Sequence, residues 1–152
     1  MTSNVAALLK AWSIAMIGLG LLFVAAAWPV LDWPARLFLD IAFWPIDGRP
    51  EGLNPEQRLL SVIGGGLTVG WGVLLVLLFD RAHRTGDDEL SRLAVTGLLA
   101  WFIVDSLGSI VVGAWMNAII NTALVAGFVI PLALENRLNQ GRRARRASHP
   151  LS

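Results

Sequence analysis

Apolar side chains gather in four long runs, residues 11–31, 59–79, 93–112 and 118–134, rather than in the alternation that a half-buried strand or surface helix shows. Each run is 17 to 21 residues long. At 1.5 Å of rise per residue, roughly 17–25 apolar residues match about 30 Å of hydrocarbon, so each run predicts a membrane-spanning helix. Asp105 is the one ionisable side chain inside any of the four. The pattern therefore predicts an all-α fold, a four-transmembrane-helix bundle.

The connection between the first two runs carries a pattern of its own. Trp33, Leu37, Ile41 and Trp44 recur at helical spacing, and Asp32, Arg36 and Asp40 form a second row of alternating sign. This predicts a short amphipathic helix over residues 34–43, lying at the interface in the first outer loop. An irregular loop folded over the bundle mouth is the alternative. After it, an Asp47-Gly48 pair between Pro45 and Pro50 marks a turn. Asn54, Pro55 and Gln57 then spell a capped helix start, and Gly86 followed by Asp87 and Asp88 spells a stop and a restart. Only about five residues separate the third and fourth runs, which makes those helices antiparallel neighbours.

Composition narrows the class. Of 152 residues 55% are hydrophobic, which leaves too little chain for a second, soluble unit, so residues 1–152 are expected to form a single integral membrane domain. There are no cysteines, and this excludes disulfides, thiolate metal sites, iron–sulfur clusters and thiol redox relays. The net charge of +1 hides an asymmetry. Lys10, Arg81, Arg84, Arg92, Arg137, Arg142, Arg143, Arg145 and Arg146 lie at one set of run ends, whereas only Arg36, Arg49 and Arg58 lie at the other. By the positive-inside rule both termini are expected in the cytoplasm, with the first loop outside and the whole in a bacterial inner membrane. A basic start followed by Ala25-Ala26-Ala27 also fits a cleavable signal peptide. The apolar stretch is longer than the ~7–15 residues of such a segment, however, and Trp28-Pro29 suits an interfacial residue and helix end, so the first helix is expected to stay uncleaved. Arg142, Arg143, Arg145 and Arg146, in the basic tail 137–152, are expected to meet anionic lipid head groups; so short a tail is not expected to bind nucleic acid.

Candidate chemistry centres on Asp105. A charged side chain near the bilayer centre costs about 2.5–3.5 kcal/mol even on the lenient insertion scale, so something must offset it. On the third membrane helix Gly97, Trp101, Asp105, Ser109 and Gly113 form one ridge of small and polar groups that should face protein. Counting from the short loop sets Ser109 level with Asn121 and Asp105 level with Val125, while counting inward from Arg58 brings Thr68 to the level of Asp105. The expected cluster is Asp105, Ser106, Ser109, Asn121 and Thr68 with Trp71 and Trp101, whose indole N–H groups need partners in hydrocarbon. Gly64, Gly65, Gly66, Gly70 and Gly72 are the expected packing positions. The cluster reads as interhelical hydrogen bonding, as a proton- or ligand-binding acid in a membrane cavity, or as half of an ion pair with another subunit. Asp32, Asp40, Asp47, Glu51 and Glu56 are expected on a solvated face. No cofactor and no metal site is expected, since His83 and His149 lie outside the runs and no ligand spacing stands out.

Arg58 leading into a Gly-rich second helix with Gly65 and Gly66, the basic connection after it, the Asp105-Ser106 segment and the very short last loop together resemble the DoxX-like four-helix proteins of bacteria. The resemblance spans almost the full length and rests on layout. It implies a small inner-membrane accessory or binding protein, non-catalytic, packing against itself or a larger complex. A small proton-coupled carrier built on Asp105 is the alternative, and a quinone- or lipid-binding enzyme subunit the third.

Overall fold

The computed structural model describes residues 1–148, with side chains through Gly141. Five α-helices follow in order: α1 (Ser3–Val24), α2 (Trp33–Ala42), α3 (Pro55–Thr85), α4 (Asp88–Val111) and α5 (Trp115–Ser148), with 3₁₀ turns at Ala25–Ala27 and Pro29–Leu31 between α1 and α2. Four of them are long and apolar enough to cross a membrane. The short fifth, α2, lies across one end of the bundle, called here the α2 end; the α3–α4 turn marks the opposite, Gly86 end. Arg142, Arg143, Arg145 and Arg146 have side chains outside the described residues.

The elements begin and stop where local chemistry directs. Asn54 Oδ1 accepts from Gln57 N at 2.7 Å while Gln57 Oε1 accepts from Asn54 N at 3.0 Å, a reciprocal cap ahead of Pro55. The helix so started is longer than its apolar run, because Asp80–Thr85 continue it as polar turns, with an Asp80–Arg84 pair at 2.8 Å. Gly86 ends it at φ 68°, left-handed backbone that glycine adopts without a Cβ clash. Asp87 then caps α4 by accepting from Glu89 N at 2.8 Å. The first helix differs from its run at both ends: it begins at Ser3, and it stops at Val24, where the chain passes into 3₁₀ turns before Trp28-Pro29.

The closest helix pair is α1 with α3. A Cβ on Gly20 would stand 2.6 Å from Gly65 O, and one on Gly65 would stand 2.5 Å from Gly20 O, so these two backbones touch where no larger residue fits. Seven residues further along, Gly72 admits Ile17 and the Ser13 backbone in the same way. A Cβ on Gly64, Gly66 or Gly70 would meet nothing within 4 Å. The seam thus runs along Gly65 and Gly72 toward α1, and of the five expected packing positions Gly64, Gly66 and Gly70 lie outside it. Several glycines in one apolar helix offer several possible stripes, and the partner's own glycine, Gly20, selects among them.

Toward the Gly86 end all four long helices converge on Leu9, Met16, Leu75, Phe79, Ala94 and Phe128, with the Phe79 and Phe128 rings stacked 5.8 Å apart. Trp12 spreads over Gly127 and donates from Nε1 to Leu124 O at 2.9 Å, joining α1 to α5. Thr2 N donates to the buried Glu135 carboxylate. Toward the α2 end the bundle is looser. There α3 and α5 scarcely meet, and α2 covers the gap, packing Ala35 and Leu39 beside Ala26 and Leu53, with Phe38 edge-on to Phe23 at 4.9 Å. The row Trp33, Leu37 and Trp44 faces away from the bundle and is exposed.

Two loop acids do not lie on a solvated face. Asp32 is 3% exposed and holds Arg36 Nε at Oδ1 and Arg58 at Oδ2, each at 2.7 Å. Burial acts to raise its pKa, but the hydrogen bonds and charges of the two guanidinium groups outweigh burial and hold it below the usual carboxylate value. Arg58 also donates to Ala26 O at 3.1 Å and Arg36 to Glu51 O at 2.6 Å, so one carboxylate fastens the ends of α1, α2 and α3. Asp40 is 8% exposed and accepts from Asp47 N at 2.9 Å and Gly48 N at 3.0 Å, closing the turn between the prolines. Both acids look like surface charges in sequence because the partners that bury them, Arg58 for Asp32 and two backbone N–H groups for Asp40, are not marked by local spacing.

Candidate functional site

The loose half of the bundle encloses a cavity of about 540 Å³ bounded by α1, α3, α4 and α5 and roofed by α2. Its walls are mainly apolar, from Met16, Leu60, Leu67, Leu98, Ile120 and Leu124, and Phe38 of α2 closes the top. Leu60 and Leu67 stand on its rim and are 68% and 64% exposed, which marks the α3 side as the side open to the surroundings. The volume falls within the ~300–1,000 Å³ of small-molecule sites.

One wall is polar. Asp105 Oδ2 accepts from Asn121 Nδ2 at 2.6 Å and from Asn117 Nδ2 at 3.0 Å. The same nitrogens donate onward, Asn117 to Ser109 Oγ at 2.8 Å and Asn121 to Ser106 Oγ at 3.3 Å. Four bonds therefore tie α4 to α5, each worth around 0.6–2 kcal/mol in a membrane. Their alignment follows from helical spacing: Asn117 and Asn121 are four apart, as are Asp105 and Ser109, so both pairs share a face. Asp105 lies six residues before the end of α4, about 9 Å along its axis.

The partners are displaced by one turn from those expected by counting: Ser109 meets Asn117 and Asp105 meets Asn121, rather than Asn121 and Val125. The cause is the hairpin. It occupies Val112 to Ala114 and α5 begins at Trp115, so the midpoint of the connection falls two residues earlier and every antiparallel partner moves by four. Asn117, assigned by sequence to the loop end, thereby becomes a central member of the cluster.

Thr68, Trp71 and Trp101 border the same cavity as Asp105. Thr68 turns its hydroxyl back to Gly64 O at 2.8 Å, and the Trp71 ring lies against Gly97. Ser106 is buried behind the asparagines. Of the five glycines Gly64 alone lines the cavity, leaving its wall flat opposite the polar cluster. Arg58 is committed to Asp32, and among the described residues no basic side chain lines the cavity and no three acids or histidines converge on a metal position. What the arrangement offers is an apolar chamber with a fixed hydrogen-bonding wall. No family model, curated protein or solved structure matches the chain.

Proposed function

We propose that this is a small inner-membrane protein of the non-catalytic binding kind, which holds one amphiphilic molecule in the chamber between α3, α4 and α5 and packs against itself or a larger complex. The observation that carries the reading is the coexistence, in one cavity, of apolar walls and the Asp105–Asn117–Asn121 cluster. A purely structural hydrogen-bond cluster needs no chamber beside it. The layout shared with DoxX-like proteins supports an accessory role beside partner subunits, and the basic residues at the Gly86 end support cytoplasmic termini. The exposed row Trp33, Leu37 and Trp44 supports an interfacial seat for α2, its outward face dipping among head groups.

Purification in mild detergent with native mass spectrometry tests this. One small amphiphile per chain is expected, and Gly64→Phe, which fills the chamber at a position with free space around it, is expected to abolish it while the protein stays folded. Wild type and Gly64→Phe with identical, empty spectra would overturn the reading. The carrier reading has its own support in the Asp105 carboxylate bordering a cavity, and predicts that Asp105→Asn stops flux without loss of expression.

A further inference from the structure

The hydrogen-bonding atoms left over at the polar wall determine which head group fits. An amide nitrogen carries two hydrogens, and both nitrogens here are fully used: Asn117 on Asp105 and Ser109, Asn121 on Asp105 and Ser106. Three acceptors remain, Asp105 Oδ1 and the two amide oxygens. Among the described residues no buried side-chain polar atom lacks a partner, so these oxygens border open space, and all three residues line the chamber. The two asparagines thus point their donors into the cluster, and the three acceptor oxygens of Asp105, Asn117 and Asn121 are left toward the chamber.

Charge narrows the choice further. Arg58, the basic residue of α3 at this end, is closed around Asp32 and Ala26 O, and no other described cation reaches the chamber. A carboxylate in so apolar a surrounding is best compensated by a cation with hydrogens to donate. Trp71 and Trp101 border the same space, and indole ring faces attract cations. At this wall a carbonyl head, such as a quinone's, meets outward acceptor oxygens, because both amide nitrogens are already used. An anion meets the carboxylate, and an alcohol leaves its charge unmatched.

We propose that the chamber takes a cationic amphiphile, a primary or secondary ammonium on an apolar body, with the ammonium on Asp105 and the amide oxygens of Asn117 and Asn121 and the apolar part along Leu60, Leu67 and Leu124. This rests on the amphiphile-binding reading above and names its ligand class.

The test compares decylamine, decanol, decanoate and decyltrimethylammonium at pH 7 with the purified full chain in non-ionic detergent, by native mass spectrometry and by the rise in Tm. Decylammonium should bind at least tenfold tighter than decanol, and decanoate should not bind. Asp105→Asn should erase the difference between amine and alcohol, while Gly64→Phe should remove binding of both. Equal binding of amine and alcohol, lost together in Gly64→Phe, overturns the cation assignment and leaves amphiphile binding standing. Absence of saturable binding by any of the four overturns both. Should Asp105→Asn fail to fold, the quaternary amine decides in wild type: it keeps the charge without the hydrogens and should fall between amine and alcohol, and binding no tighter than decanol overturns the role of charge.

Discussion

Two guanidinium groups close on the Asp32 carboxylate, one at each oxygen, and this has a consequence for acid stability. Its pKa is lower folded than unfolded, so the stabilisation is complete above the unfolded value of about 3.9 and is lost as the pH falls from there through the folded value. Asp32→Asn should lower Tm in detergent at pH 7, because Arg36 and Arg58 then face each other without the acid between them. The gap between wild type and variant should narrow as the pH drops below about 4; a gap that stays constant down to pH 2 would show that the charge plays no part. Asp105 has neutral amides as its partners in place of cations. One acid is therefore a clasp between three helix ends, and the other keeps an oxygen free at the edge of the cavity.

At the scale of elements, the contact between Gly20 and Gly65 decides how α1 and α3 associate. Gly65→Ala would set a methyl carbon 2.5 Å from Gly20 O and 2.8 Å from Val24 N, backbone atoms that yield only if the helices part. We expect a loss of about 1–3 kcal/mol in reversible denaturation in detergent, whereas Gly66→Ala, with open space around it, should be neutral or slightly stabilising. Equal effects at the two positions would refute the seam. The contrast also marks how far the sequence could be read. The four long apolar helices, the caps and the short α2 were legible, since run length, Asn54-Pro55-Gln57 and the spacing of Trp33, Leu37 and Ile41 are local signals. Which helix face meets which was not, because in an apolar helix the lipid side and the protein side have the same composition; Gly65 and Gly66 differ only in what lies opposite. The polar cluster was legible in its members on α4 and off by one turn in its partners, since two residues of hairpin length are beyond what composition fixes. For Asp32, the Arg36 partner stood in the same charged row at i+4, whereas the Arg58 partner was illegible because it stands 26 residues away.

At the scale of the whole molecule the two ends differ. The Gly86 end holds the packed core of Phe79, Phe128 and Leu75 with a smaller cavity of about 370 Å³ beside it, while the α2 end holds the larger chamber under a ten-residue roof fastened by Asp32 and Asp40. If the Gly86 end faces the cytoplasm, the chamber lies in the outer half of the membrane and draws its ligand from the outer leaflet, through the α3 side where Leu60 and Leu67 are exposed. The absence of native cysteine makes this directly measurable. Glu51→Cys, in the exposed connection before α3, and Thr85→Cys, exposed at its far end, each introduce a single thiol. A membrane-impermeant maleimide applied to intact cells with a permeabilised outer membrane should label Glu51→Cys at once and Thr85→Cys only after lysis. The reverse pattern would turn the chamber toward the cytoplasmic leaflet and make a cytoplasmic source of ligand necessary. Labelling of both thiols in intact cells would mean that the chain inserts in two orientations, in which case one polar wall serves both leaflets and the basic residues at the Gly86 end do not fix the threading.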